Sequence, residues 1–243
     1  MSDRRVSVTL RESPPTSLQL QSSSTTLTTA TTTIKTAEKS SQQWWKTNRP
    51  TDWIEPSLEP VPGLLVFHDF LSEEHLRCIL QELDNVPTPS WKGESHSGNH
   101  REKRWGVYHE LWSRQIQQVR NDIPTVFRRV LLPRLKLIEA CHSLEINDVN
   151  AIDYRKSLGD SLTDHVDDRQ KHLEPIVNLS VTGSCQMTFH STRNPSLPPT
   201  KVLLRPGTLQ VLTGKARYDY THGIRNADFL SDRRVSLTLR QTR

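Results

Sequence analysis

His165 and Asp167 stand two positions apart in His165-Val-Asp167, and His222 follows in Tyr218-Asp-Tyr-Thr-His-Gly-Ile224. On an extended strand a spacing of two turns both side chains to one side, so the first pair can offer an imidazole nitrogen and a carboxylate oxygen to one ion. A lone His-x-Asp in a chain with 10 histidines is a weak signal. A third donor gives it weight, and several strand and turn units separate His222 from the pair, enough chain for a barrel to bring it back. Two neutral imidazoles and one carboxylate on one face of an octahedral ion form the donor set of non-haem Fe(II) sites, which leave positions open for a cosubstrate and dioxygen. Such a set suits oxidation better than hydrolysis.

A second constellation lies in Arg234-Val-Ser-Leu-Thr-Leu-Arg240. Alternation puts Arg234, Ser236, Thr238 and Arg240 on one face and Val235, Leu237 and Leu239 on the other, toward a core. Two arginines inside a barrel are costly unless carboxylates meet them with bidentate geometry. Few of the protein's own acids are near in sequence, so a dicarboxylate cosubstrate is the natural occupant. The alternative is an exposed edge strand with solvated arginines.

The elements that must position these residues can be traced along the chain. Leu64–Phe67 is a short apolar strand; Ser72 with Glu73 and Glu74 then starts a helix whose inward face is Leu76, Ile79, Leu80 and Leu83. Residues 87–104, rich in Pro, Gly, Ser and charge, suggest a long surface loop ending in Lys103-Arg104-Trp105-Gly-Val-Tyr108. Asp122 and Pro124 open a second helix with Val126, Val130, Leu131, Leu135 and Ile138 inward. Short β runs follow: 148–154, 176–181, 186–190, 201–204, 208–212 and 235–239, with turns at Gly159, Gly183, Pro206-Gly207 and Gly214. Helices first and then closely spaced strands give an α+β class, with the strands forming an antiparallel sandwich or jelly-roll barrel.

With 243 residues, one large domain plus a tail fits best. Residues 1–59 form the expected disordered Ser/Thr-rich tail and Pro-rich linker, and 60–243 the folded domain. The tail is basic and poor in acids, a composition loosely like a transit peptide, so mitochondrion or plastid stands as an alternative to nucleus or cytoplasm. Within it Ser2–Arg11 matches Ser231–Arg240 except for Val8 against Leu237: either a decoy strand or a duplication without consequence. A hydrophobic share of 33% with no long apolar run excludes a membrane-spanning helix, and the isolated Cys78, Cys141 and Cys185 suggest reduced thiols. A net charge of +5 is compatible with a polyanionic partner without requiring one. His109-Glu110 lacks the second His of a zincin, no Gly-rich loop follows a strand as a phosphate cradle would, and no Cys/His spacing fits structural zinc.

The order His165-x-Asp167, His222-Gly-Ile224 and Arg234-x-Ser-x-Thr-x-Arg240 resembles the AlkB-type Fe(II)/2-oxoglutarate dioxygenases. The resemblance runs from about Val61, through Pro62-Gly63-Leu64, Phe70–Glu74, Lys103–Gly106, Pro175–Phe189 and Pro206–Leu209, to the end. It implies a double-stranded β-helix (jelly-roll) barrel with N-terminal helices packed on it. It also implies Fe(II) on His165, Asp167 and His222, with Arg234 on the distal carboxylate of 2-oxoglutarate and Arg240 near its 1-carboxylate or the substrate. Tyr154 is similar to the family's strand tyrosine that hydrogen-bonds 2-oxoglutarate. The family usually has Asn two residues earlier, where this chain has Ile152, with Asn150 two further back on the same face. The implied reaction consumes 2-oxoglutarate and O2, yields succinate and carbon dioxide, and hydroxylates N-methyl groups that leave as formaldehyde.

Such enzymes mostly act on methylated bases drawn into an aromatic pocket. Trp105 and Tyr108 are the candidates for its lining, core aromatics being the alternative. Asp168 and Arg169 could touch base or phosphate, or form a surface ion pair; Lys92, Arg101, Lys103 and Arg104 would serve phosphates. Methylated RNA or DNA is thus the expected partner of a monomer without membrane contact, and a protein substrate is the alternative.

Overall fold

The computed structural model describes residues 49–93, 98–109, 116–118 and 121–243; for Leu58, Tyr108, His109 and residues 116–118 it describes the backbone alone. The segment 1–48, with the expected disordered tail and its copy of the last strand, lies outside the described residues.

The chain enters by β1 (Ser57–Leu58), paired antiparallel to β2 (Leu64–Phe67), so folded structure reaches back into the Pro-rich segment. There Trp53 stacks edge-on against Phe67 at 5.9 Å and Phe70 at 6.2 Å. Helix α1 (Glu73–Asn85) starts where Ser72 accepts a hydrogen bond from the His75 amide at 3.3 Å, and it buries Leu76, Ile79 and Leu83. Next is β3 (Arg101–His109), a strand where a loop was expected. Its charges hid it: Lys103 lies on the helix side and donates to the Leu83 and Val86 carbonyls at 2.6 and 2.8 Å, satisfying the C-terminus of α1. β4 (Ile116–Gln118) pairs with it.

Beyond Pro124 the expected second helix appears as a π-turn, Phe127–Leu131, running into α2 (Leu132–Leu135), and Phe127, Leu131, Leu135 and Ile138 are buried. Pro133, lacking an N–H, sits at the junction. The β region then follows: β5 (Asp148–Arg155), β6 (Leu162–His165), β7 (Ile176–Thr182), β8 (Cys185–Ser191), β9 (Thr200–Leu204), β10 (Leu209–Leu212), α3 (Gly214–Tyr218), β11 (Tyr220–Ile224) and β12 (Arg233–Arg240).

The strands form two antiparallel sheets, one ordered β1-β2-β10-β7-β12-β5-β3-β4 and one β6-β11-β8-β9. Alternation divides the apolar side chains between two cores. Val149, Ala151, Val177, Leu179, Val235, Leu237 and Leu239 face α1 and the 127–138 helical segment. Leu64, Val66, Ile152, Tyr154, Ile176 and Leu212 meet Met187, Phe189, Val202 and Ile224 of the smaller sheet. Helices thus cover one face of the large sheet, and its other face closes a sandwich over the small sheet. No helix among the described residues is long and apolar enough to cross a membrane.

Candidate functional site

Strands β6 and β11 lie side by side with His165 directly opposite His222. The pairing is close because Gly223 has no side chain: a Cβ there would sit 2.1 Å from an Asp164 carboxylate oxygen and 2.9 Å from the Leu162 carbonyl. The two imidazoles stand 4.5 Å apart, and His222 Nε2 lies 3.6 Å from Asp167 Oδ2. One ligand atom each from His165, Asp167 and His222 falls within 4.8 Å of the others. His165 Nδ1–H donates to the Thr163 carbonyl at 2.8 Å, which leaves Nε2 with its lone pair for a ligand.

Asp167 is not on the strand, as the two-residue spacing had suggested; β6 ends at His165. What holds the backbone of its loop is Arg217, a fully buried side chain of α3 that donates to the Asp167 carbonyl at 2.9 Å, the Asp168 carbonyl at 2.8 Å and the His172 carbonyl at 3.1 Å. No periodicity or motif in the sequence singles out Arg217.

Electrostatics complete the donor set. Burial would raise the Asp167 carboxyl, but Arg240 at 3.1 Å, with the two imidazoles, holds it far below the usual carboxylate range. Burial, and then neighbouring His165, push His222 down to about 4 against the pull of Asp167. Near neutral pH the site therefore presents a carboxylate and a neutral imidazole from these two, the forms a metal takes. The cluster fits a divalent ion such as Fe(II) with positions left over.

The expected face of β12 is present. Arg234 is 1% exposed and donates to Ser236 Oγ at 2.9 Å and Ser180 Oγ at 3.2 Å, with its Nε unpartnered. No carboxylate pairs with it among the described residues. Its guanidinium lies 5.5 Å from the Tyr154 ring, directly opposite it on β5. Burial raises the Tyr154 phenol well above its usual value, so it stays a neutral O–H donor. A buried cation without an acid partner, beside a phenol and two hydroxyls, suits the carboxylate of 2-oxoglutarate. Arg240 differs from expectation, because protein acids do meet it: Asp167, and Asp148 at 3.8 Å.

The remaining candidates separate. Asn150 sits opposite Thr238, four residues from Tyr154 on the same face, and its amide donates to Glu102 at 3.0 Å. Trp105 does not line a substrate pocket. It is on the helix side of β3, edge-on to Phe127 at 5.7 Å, because its neighbours Arg104 and Glu102 take the inner face. The backbone of Tyr108 lies on β3, and its side chain is outside the described residues. The Asp168 carboxylate accepts the amides of Gln170 and Lys171 at 2.8 and 3.0 Å, shaping the turn after the site. Exposed Arg169 donates to the Tyr218 carbonyl. The phosphate-binding reading of Lys103 fails, since it is buried in the helix cap, and Arg101 and Arg104 are paired with Asp153 and Glu102.

Two inner-face residues were missed. Asn178 and Ser180 on β7 alternate with Val177, Leu179 and Val181, the same one-sided polarity that exposed β12. That alternation was the available signal. Asn178 also stands opposite Gln210 on β10, a 1% exposed amide with neither polar atom partnered.

Comparison with known proteins agrees with this geometry. A sequence profile of the 2OG-Fe(II) oxygenase superfamily matches residues 63–240. The tRNA (carboxymethyluridine(34)-5-O)-methyltransferase ALKBH8 of Mus musculus is 25% identical over 177 residues, 71% of this chain and 26% of that protein. Its counterpart in Xenopus tropicalis is 26% identical over 181 residues, 70% of this chain and 26% of that protein. The chain thus spans about a quarter of the length of these curated relatives. Among solved structures, OsALKBH1 superposes with a TM-score of 0.59 at 16% identity, covering 79% of this chain and 100% of that one. A Pseudomonas putida prolyl-4-hydroxylase superposes at 0.51 and 14% identity, covering 74% and 93%. The structural likenesses concern the jelly-roll fold, and the sequence match spans both segments of the His165–Asp167–His222 cluster and the arginine strand: the chain belongs to the 2OG-Fe(II) oxygenase superfamily, with Fe(II), 2-oxoglutarate and O2 as its cofactor and reactants, and is similar to AlkB homologues.

Proposed function

We propose that this chain oxidatively removes N-methyl groups from nucleobases of RNA or DNA. Buried Arg234, without an acid partner among the described residues and on the same face of β12 as Arg240, which reaches Asp167 of the His165–Asp167–His222 cluster, carries the oxygenase part of this reading. His165, Asp167 and His222 would hold Fe(II). When bound, the iron with 2-oxoglutarate and O2 supplies the oxidation of a substrate C–H bond, 2-oxoglutarate leaving as succinate and carbon dioxide.

The chain's own residues bind and orient. Arg234 and Tyr154 anchor the distal carboxylate, with Ser180 and Ser236 holding the guanidinium in place. Arg240 neutralises Asp167 and stands ready for the cosubstrate's 1-carboxylate. Asn150 borders that end, beside Glu102. Asp168 and Arg169, exposed directly after Asp167, are the substrate contacts we retain, with Tyr108 on β3. Support for a nucleic-acid substrate comes from relatives whose names place their action on tRNA.

One observation favours the second reading, a protein-directed hydroxylase or demethylase. The charges of Arg101, Lys103 and Arg104, three of the four expected to serve phosphates, are engaged within the protein. Incubation with Fe(II), 2-oxoglutarate and oligonucleotides bearing N1-methyladenine or N3-methylcytosine separates the two. Methyl loss by mass spectrometry that vanishes in His165→Ala is the expected result; succinate formation without methyl loss on any oligonucleotide would turn the assignment toward protein.

A further inference from the structure

The match to the oxygenase superfamily stops at residue 240, and the three residues beyond it are tied to the loop that carries Asp167. The Leu173 amide donates to the Gln241 carbonyl at 2.8 Å, the Arg243 amide donates to the Lys171 carbonyl at 3.0 Å, and His172 and Thr242 form a β-bridge. The strap is fixed on its other side to the start of β5. The Thr242 amide donates to Asn147 Oδ1 at 2.7 Å, and Asn147 Nδ2 donates to the Thr242 carbonyl at 2.8 Å. Thr242 is 5% exposed, and its hydroxyl donates to Asp148 Oδ2 at 3.1 Å while lying 2.9 Å from His172 Nδ1. Asp148 in turn faces Arg240, which holds Asp167.

We propose that Gln241–Arg243 is a positioning strap for the metal carboxylate, with Thr242 as its key residue. This rests on the reading of Asp167 as a metal ligand. The loop from Asp167 to Leu173 has no strand of its own. Arg217 holds its carbonyls from α3, and the strap holds its far end against β5. Losing the strap would let the loop, and so the carboxylate, sample other positions. The Thr242 hydroxyl meets His172 and Asp148, not the three donor side chains, and acts through them. Partners one shell removed from a metal's ligands change its affinity by about 10- to 100-fold.

The test is Mn(II) binding to the metal-free full chain by calorimetry, read beside thermal unfolding. Thr242→Val keeps the shape and removes the hydroxyl, and should weaken Mn(II) binding about tenfold, while Thr242→Ser should restore it. Asn147→Ala, which cuts the strap's other attachment, should weaken it likewise and serves if the valine variant folds poorly. Ser72→Ala, which removes the α1 cap far from the loop, should lower the melting temperature and leave Mn(II) affinity unchanged. Unchanged affinity in both Thr242→Val and Asn147→Ala, with binding lost in Asp167→Ala, would overturn the strap alone. Unchanged affinity in Asp167→Ala would overturn the metal-ligand reading beneath it.

Discussion

A buried arginine without an acid is unstable in its own protein and useful to a ligand. Arg234 is held by two serine hydroxyls and a tyrosine ring, none of which cancels its charge. Removing one partner of a buried, hydrogen-bonded charge pair costs 2 kcal/mol or more, so Arg234→Met should raise the half-saturating 2-oxoglutarate concentration by roughly thirty-fold or more. The same change deletes an uncompensated buried charge, so the melting temperature should hold or rise. Unchanged half-saturation would remove Arg234 from the site. At this scale the sequence was most legible: His165, Asp167 and His222 come together in one cluster and Arg234 is buried on the polar face of β12, although Asp167 reaches the cluster from a loop and not from the strand its spacing had suggested. Trp105 and Lys103 were not legible, because a residue's type carries no record of which sheet face it takes, and both turned to the helix side.

Among the elements, six of the eight strands from 148 onward were legible because β-branched and apolar residues alternate there with polar ones, whereas β6 and β11, which carry His165 and His222, were not among the expected runs. β3 was not, since its charges looked solvated while Asp153, Glu102 and the carbonyls of α1 were waiting for them. α3 was also missed: five residues are too few for a helical period to show. Yet this short helix carries Arg217, whose loss would strand three carbonyls of the Asp167 loop. Each unsatisfied buried acceptor costs about 1–3 kcal/mol, so Arg217→Met should lower unfolding free energy by about 2–4 kcal/mol, since some carbonyls will find water. Urea titration measures this; a loss under about 0.5 kcal/mol would mean that the loop holds itself.

The described residues stack helices, a large sheet and a small sheet, and the protein's stability should respond to pH through histidines shielded from solvent. Burial depresses His172 to about 3, and burial also lowers His100. Below about pH 6.5 the unfolded chain takes up protons that these folded imidazoles refuse, so stability falls as pH falls through that window, down to about 3 for His172. Paired carboxylates such as Asp84 and Asp167 add their own loss only below their ordinary value of 3.8. The urea midpoint of the metal-free protein should therefore be lower at pH 5 than at pH 7.5. The gap should narrow in His172→Asn, and an undiminished gap would assign the effect elsewhere.

The claim on which the rest depends is that this fold couples Fe(II) to 2-oxoglutarate through His165, Asp167 and His222. Succinate released by the purified full chain with Fe(II), 2-oxoglutarate and O2, before any substrate is added, tests it most directly. Slow turnover is expected, abolished by chelation and lost in both His165→Ala and Asp167→Ala. Turnover that survives in those two variants would contradict it.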